Sequence, residues 1–443
     1  MVIGKLADRL VAEGYAHLWI CYTDYNGRLA GRSIPRSRFA HVAERGTNFA
    51  KANFNFTILD QQVPDPRFTA DTGDVLAIPD SEAVYPLPFH PGTALSFAML
   101  HEEDGSLWDG CPRAALQRAV AALAEAGLSA RIGLEPEFYL FEDEDLTPAT
   151  RAGMYTIAGL DAQAAFIEQL TQHLVEMDIT LEQIGKEYGP GQYEATATPA
   201  DPVTAVDRYL VFRLAVRSIA RAHGLRASFM PKPDATLAGC GLHVHVSLRD
   251  LATGADRTAD PDHPSGLSAE ARSFLAGWLQ HADALTGLGA PTANSAKRLQ
   301  PASWAPAHVC WGIGNRAALV RVPGLGARAR LEFRSGDNTC NPYLYVAGLI
   351  WAGLDGLRRG LDPGPPAEAD VGRLPATELA ARGVRFLPRS TEAALDALDA
   401  DTALAEGLGP LLHQEFLRVK RAELAMYRIQ VTPWERAAYF EAP

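Results

Sequence analysis

The sequence is short of several features that would assign it to a class at once. Only five cysteines occur in 443 residues, Cys21, Cys111, Cys240, Cys310 and Cys340, and no two form a Cys-x-x-Cys pair. A sparse, odd set gives neither a disulfide framework nor a cysteine-built zinc site. Basic side chains are in deficit, 41 against 53 acidic, for a net charge of −12. Such a surface lacks the basic footprint that binding a phosphate backbone needs, which argues against a nucleic-acid partner. Long apolar runs are missing too. Tyr343 to Leu357, the most apolar stretch, falls short of the ~20 residues of a membrane span, and Asp355 interrupts it. Met1–Gly14 carries Lys5, Asp8, Arg9 and Glu13 at helical spacing with no apolar signal core behind it. A cytoplasmic protein with no membrane partner is expected.

What is present is enough apolar material, 47% of the residues, to bury a large core, and at ~150 residues per domain two or three domains. The first hundred residues read as a small strand-rich unit. A helix over Lys5–Glu13 precedes a strand, His17–Tyr22, and an Asn26-Gly27 hairpin turn. A further strand is expected at Val75–Ile78. The boundary falls near residue 105, giving domains 1–105 and 106–443. Beyond it, Pro112 opens a helix that Gly127 stops, and Asp201-Pro202 opens another that Gly224 ends. Helices also follow over about 270–285 and after Asn341-Pro342. The stretch 361–376 reads as a surface loop.

Chemistry is written in strands whose alternate residues are charged. In Gly133-Leu-Glu-Pro-Glu-Phe138, Glu135 and Glu137 share one face. In Gly241-Leu-His-Val-His-Val-Ser247, His243, His245 and Ser247 do the same, and Arg330, Glu332 and Arg334 repeat the pattern. Between the first two lies Glu187-Tyr-Gly-Pro-Gly-Gln-Tyr-Glu194, two carboxylates around a turn. Any one such strand could be a solvated face; three together, with a His-x-His flanked by glycines, are harder to explain that way. Carboxylates gathered on one inner face repel unless cations neutralise them. Five carboxylates with an imidazole suit Mg²⁺ or Mn²⁺. A multi-metal site lined with arginines points to phosphoryl chemistry.

These motifs, with Phe229-Met-Pro-Lys-Pro233, Asn294-Ser-x-Lys-Arg298, Asn315-Arg316 and Asn341-Pro-Tyr-Leu344, stand in the order seen in glutamine synthetases, which the chain resembles over nearly its whole length. The resemblance implies an α+β protein, an N-terminal β-grasp domain plus a catalytic α/β funnel. It implies a homo-oligomer, typically a dodecamer, with active sites between subunits. It also implies ATP and L-glutamate as substrates and roughly two to three Mg²⁺ or Mn²⁺ ions per site. One metal would be held by Glu137, Glu187 and Glu194, the other by Glu135, His243 and Glu332. His245, Ser247, Arg321 and Arg330 match positions that hold ATP. Glu137, Gly239, His243, Arg298 and Arg334 match those that hold glutamate, and Arg316 lies near the transferred phosphate. A catalytically inactive relative would be expected to lose metal ligands, and all six positions match. A guanidino kinase, the other enzyme with a related funnel, would not need Asn-Ser-x-Lys-Arg or Arg-x-Glu-x-Arg.

The sequence departs from the family where the amine is chosen. The flap motif Pro-x-x-Glu-Ala-Pro reads Pro301-Ala-Ser-Trp304-Ala-Pro306, so an indole replaces the carboxylate. Indole cannot take a proton from ammonium, but its face attracts a cation and covers an alkyl group. Ala296 replaces the motif Tyr, and Lys186 replaces a His. The N-terminal amine-site aspartate aligns with Asp60, with Asp74 as second choice. Asp60 and Trp304 together resemble the γ-glutamylmethylamide, -ethanolamide and -polyamine synthetases. The expected activity is ATP-dependent joining of glutamate to a small alkylamine, methylamine first. Ammonia is the alternative, and ethanolamine or a polyamine a further one. Gly372-Arg373 stand where the family's adenylylated Tyr would be, so that control is expected to be absent.

Overall fold

The computed structural model describes residues 3–301 and 303–442. The amphipathic helix Ile3–Ala12 buries Leu6, Ala7 and Leu10 against a five-stranded sheet. Its strands are β1 (His17–Thr23), β2 (Leu29–Pro35), β3 (Thr47–Ala50), β4 (Asp74–Pro86) and β5 (Thr93–His101), in the order β2-β1-β5-β4-β3. The expected Asn-Gly hairpin joins β1 to β2, and β1 runs parallel to β5. Trp108, buried under this sheet's loops, packs on Phe54 and Phe68 at centroid distances of 4.5 and 5.6 Å.

The helix Pro112–Glu125 begins and ends where its proline and Gly127 predict, Gly127 taking φ 75°. It leads into a mixed sheet of eight strands. These are β6 (Leu128–Phe141), β7 (Leu181–Lys186), β8 (Gln192–Ala197), β9 (Arg226–Ser228), β10 (Leu242–Asp250), and, after the short β11 (His308–Val309), β12 (Trp311–Ile313), β13 (Val320–Val322) and β14 (Leu331–Phe333). The order is β12-β13-β14-β10-β6-β8-β7, with β9 also on β6. Helix Pro202–Ala222 packs on β6 and β9, and helix Pro342–Arg359 packs on that helix and on Pro112–Glu125. Asp201 caps the first by accepting from Thr204 N–H at 3.1 Å, and Asn341 caps the second, accepting from Tyr343 N–H at 3.0 Å.

The single helix expected over 270–285 is two, Ala269–Gln280 and Ala282–Gly289. His281 breaks it. Its ring lies between Asp401 (Nδ1 to Oδ2, 2.6 Å) and Asp355 (Nε2 to Oδ2, 2.9 Å), both from distant segments. A second network ties the first sheet to helices, in which Arg113 bonds Asp80 of β4 and Asp207 of the helix Pro202–Ala222 at 2.8 Å each, and Tyr343 OH also donates to Asp207. Among the described residues no helix is long and apolar enough to cross a membrane.

Candidate active site

β6 lies between β8 and β10. The registers set Glu135 opposite His243 and Glu137 opposite Glu194. On the next strand His245 lies opposite Glu332, which faces Arg321. Opposed residues share a face of a sheet, as do residues two apart, so these side chains all gather on one face. Two triples of ligand-type atoms lie within 4.8 Å of one another, Glu135–Glu194–His243 and Glu135–His245–Glu332. Glu135 belongs to both. Glu137 and Glu187 join no such group among the described residues. Glu137 Oε2 accepts from Gly241 N–H at 2.8 Å and from Gln192 Nε2 at 3.1 Å, and Glu187 accepts from Tyr188 N–H at 3.1 Å. The structure therefore brings together four of the expected ligands, Glu135, Glu194, His243 and Glu332, adds His245, whose Nε2 lies 2.6 Å from Glu135, and leaves Glu137 and Glu187 outside these groups. Arg330 Nε donates to His245 Nδ1 at 3.1 Å, which places that imidazole's proton on Nε2, facing Glu135.

The charge balance of this face is uneven. Burial and the neighbouring Glu135 carboxylate push Glu194 far up. Burial opposes the charge of Glu135 as well, but the hydrogen bond from His245 holds it well below the ordinary range. Glu137 is pushed up to about 7 by burial, against the pull of Arg298. Glu332, whose burial alone would raise it, is held at about 2 chiefly by Arg334, with Arg321 also beside it. Burial, then Arg334, pushes His243 well down, so its ring is neutral. Its Nδ1 is buried without a hydrogen-bond partner, 3.9 Å from Glu332 Oε1. A neutral imidazole with an unpartnered nitrogen among crowded carboxylates is a donor set that fits a hard divalent cation tolerating one nitrogen.

The arginines form the rest of the wall. Arg334 and Arg321 both pair with Glu332, Arg321 at 3.0 Å, and each keeps a buried Nε without a partner. Buried Arg298 donates to the carbonyls of Ser335 (3.0 Å) and Arg334 (3.1 Å). Its side chain runs beneath Gly239 and Gly241, where an added Cβ would meet it at 2.7 and 2.5 Å, so glycine there leaves it room. Ser247, on the same face, lies opposite Arg131.

Trp304 is 71% exposed with φ 63°. It lines a cavity of about 410 Å³ together with His308, Arg316, Asp370 and Arg373. Asp370, the carboxylate in that lining, pairs with Arg373 at 3.1 Å. Ala302 of the flap motif lies outside the described residues. Asp60 is not in the lining; its carboxylate pairs with Arg28 at 2.8 Å. Asp74 accepts from Asn48 at 3.2 Å. Sequence reasoning missed what Lys186 does: it is 1% exposed, and Nζ donates to the carbonyls of Glu187 (2.6 Å) and Gly189 (2.7 Å), fixing the acidic turn. It also missed Gln192, which the Gly-Pro-Gly-Gln motif signals, and His308, whose buried Nε2 lacks a partner and which no pattern signals.

The sequence pattern described as glutamine synthetase, catalytic domain, matches residues 109–439. The chain belongs to the glutamine synthetase family. Over 444 residues, covering 98% of this chain and 95% of the other, it is 34% identical to a glutamine synthetase of Halobacterium salinarum. It is also 34% identical, over 433 residues and 95% of each chain, to a glutamate–methylamine ligase of Methyloversatilis universalis. Among solved structures a GmaS/ADP complex superposes with a TM-score of 0.89 at 33% identity, covering 99% of this chain and all of that one. The protein is thus a ligase with the mixed α/β fold of this family, whose enzymes use ATP and divalent metals.

Proposed function

We propose that this ligase joins methylamine to the γ-carboxylate of L-glutamate through γ-glutamyl phosphate, releasing ADP and phosphate. The observation that carries this reading is Trp304, exposed beside Arg316 where the family flap has glutamate. An indole face accommodates an N-methyl group and offers no proton acceptor, which favours an alkylamine over ammonia. The methylamine ligase among the relatives supports it. Glutamine synthetase is the second reading, favoured by relatives of that name at equal identity. A polyamine is disfavoured, because the cavity's one lining carboxylate is paired with Arg373 while Arg316 and His308 add no negative charge. Ethanolamine remains an outcome of the test below.

In this reading Glu135, Glu137, Glu187, Glu194, His243 and Glu332 hold Mg²⁺ or Mn²⁺, and such ions, when bound, offset negative charge on phosphoryl oxygens. His245, Ser247, Arg321 and Arg330 bind ATP. Glu137, Gly239, His243, Arg298 and Arg334 hold glutamate, the arginines by bidentate pairing with its carboxylates. A γ-carboxylate oxygen attacks the γ-phosphorus and ADP leaves, with Arg316 and Arg330 steadying the equatorial oxygens. The amine nitrogen then attacks the γ-carbon, Asp60 takes its proton, and the bond to phosphate breaks. Because Asp60 does not line the cavity of its own chain, it is read as serving a neighbouring subunit in a ring-shaped, dodecameric assembly. Residues 1–105 are read as a β-grasp domain, 106–443 as the catalytic domain, and the protein as cytoplasmic. The test is ADP release with glutamate, ATP and Mg²⁺, comparing ammonia, methylamine, ethylamine, ethanolamine and putrescine at equal free-amine concentration. Methylamine should give the highest kcat/KM; ammonia ahead of it would return the protein to glutamine synthesis.

A further inference from the structure

Asp60 sits on a loop that runs over the C-terminal helix Pro410–Arg428. Its φ is 55°, in the left-handed region that costs a non-glycine residue ~1 kcal/mol. Its side chain is 79% exposed. A strained residue persists where its surroundings impose the strain, and here they are specific. Ile58 N–H donates to Glu423 Oε1 at 2.6 Å, and Lys420 Nζ donates to Glu423 Oε2 at 3.0 Å. Lys420 is only 2% exposed, and the same Nζ donates to Asn26 Oδ1 at 2.5 Å. Asn26 Nδ2 in turn donates to the Phe56 carbonyl at 3.2 Å. From the other side Arg28 bridges Asp24 (2.7 Å) and Asp60 Oδ1 (2.8 Å).

The turn Asp24–Arg28 is itself tied to the catalytic sheet. Asn341 Nδ2 donates to the Asp24 carbonyl at 2.7 Å while its Oδ1 caps the helix that follows β14. Gly27, at φ 70°, lies so close to Cys340 that a Cβ would strike its carbonyl. A chain of hydrogen bonds thus runs from Asn341, at the start of the helix Pro342–Arg359, through the turn to the Asp60 carboxylate. A loop held only for stability needs its backbone bonded, as Glu423 does. It has no need of a guanidinium on the carboxylate of an exposed aspartate, whose Oδ2 is left without a protein partner among the described residues.

We propose that Arg28 and Glu423 are positioning residues that aim Asp60 Oδ2 at the attacking amine of an adjoining site. This rests on reading Asp60 as the amine-binding carboxylate. The test is steady-state kinetics on the full-length enzyme with each of the three substrates varied, alongside thermal melting. Arg28→Ala and Glu423→Ala should each raise the amine KM roughly tenfold, leaving the KM for glutamate and for ATP within about twofold. Glu423→Gln, which keeps an oxygen to accept the Ile58 N–H, should restore the amine KM. Should Glu423→Ala fail to fold, the partly exposed Arg28 carries the test alone. Asp60→Asn separates the two readings. If it leaves amine kinetics unchanged, the role of Asp60 and the positioning both fall. If it impairs amine use while Arg28→Ala and Glu423→Ala only lower kcat and melting temperature together, the positioning falls and the role of Asp60 stands.

Discussion

Two charge networks of this chain, one around Arg113 and one on the catalytic face, differ in completeness. In the network around Arg113, which ties β4 to helices, Arg113 bonds Asp80 and Asp207, and Asp207 also accepts from Tyr343; none of these side chains leaves a buried polar atom unpartnered. On the catalytic face three carboxylates, Glu135, Glu194 and Glu332, crowd two imidazoles, while His243 Nδ1, Arg321 Nε and Arg334 Nε are buried without partners. Both networks are partly exposed to a similar degree, Asp80 at 26% and Glu135 at 17%, so dielectric does not separate them. The first is closed and structural. The second is left open, as a site that must still bind charged ligands has to be.

That contrast can be broken by mutation. Glu332→Ala should cut turnover by ~10³-fold or more in the folded fraction, checked by ADP release with folding followed by circular dichroism. Arg113→Ala strands Asp207 in the core and should cost about 3–5 kcal/mol of stability, read by denaturant unfolding, with kcat changed far less in the folded fraction. If the two variants exchanged phenotypes, the assignment of the networks would be reversed. A divalent ion should sharpen the difference. Saturating Mg²⁺ at about 100 times its Kd should add about 2.7 kcal/mol to wild type and to the Arg113 variant, and little to Glu135→Gln.

A smaller effect comes from His281, between two carboxylates. Burial disfavours its charge, but Asp401 and Asp355 outweigh burial and raise its pKa. A raised folded pKa means that its contribution is complete below the ordinary imidazole value of ~6.5 and is lost as pH rises through the folded value. Melting temperature should therefore decline on the alkaline side of that value, and His281→Asn should flatten the decline. An unchanged slope would show that the histidine does not titrate in that range.

How much of this could be read from the sequence follows the same division. Period-two alternation puts Glu135 with Glu137 and His243 with His245 on one face of a strand, and the sheet bears that out; of Arg330, Glu332 and Arg334 only Glu332 lies within its strand, β14, with the arginines just beyond its ends. Local signals at Pro112, Asp201-Pro202 and Asn341-Pro342 give helix starts, because caps depend on neighbours in the chain. Cross-strand register is a long-range property, so which carboxylate meets which imidazole was not legible, and Glu135 turned out to serve both triples. The break at His281 was hidden for the same reason, its partners being Asp355 and Asp401. The loops of Trp304 and Asp60 were visible only as departures from or matches to a family pattern. Their contacts, such as Glu423 on Ile58, come from the far end of the chain.

The central claim is that Trp304 marks an alkylamine ligase. The most direct measurement offers methylamine and ammonia together at equal free-base concentration, with glutamate, ATP and Mg²⁺, and weighs γ-glutamylmethylamide against glutamine by mass spectrometry. Wild type should make mostly the methylamide, and Trp304→Glu should move the ratio toward glutamine by roughly tenfold or more. Glutamine as the main wild-type product, with a ratio that Trp304→Glu leaves where it was, would contradict the account.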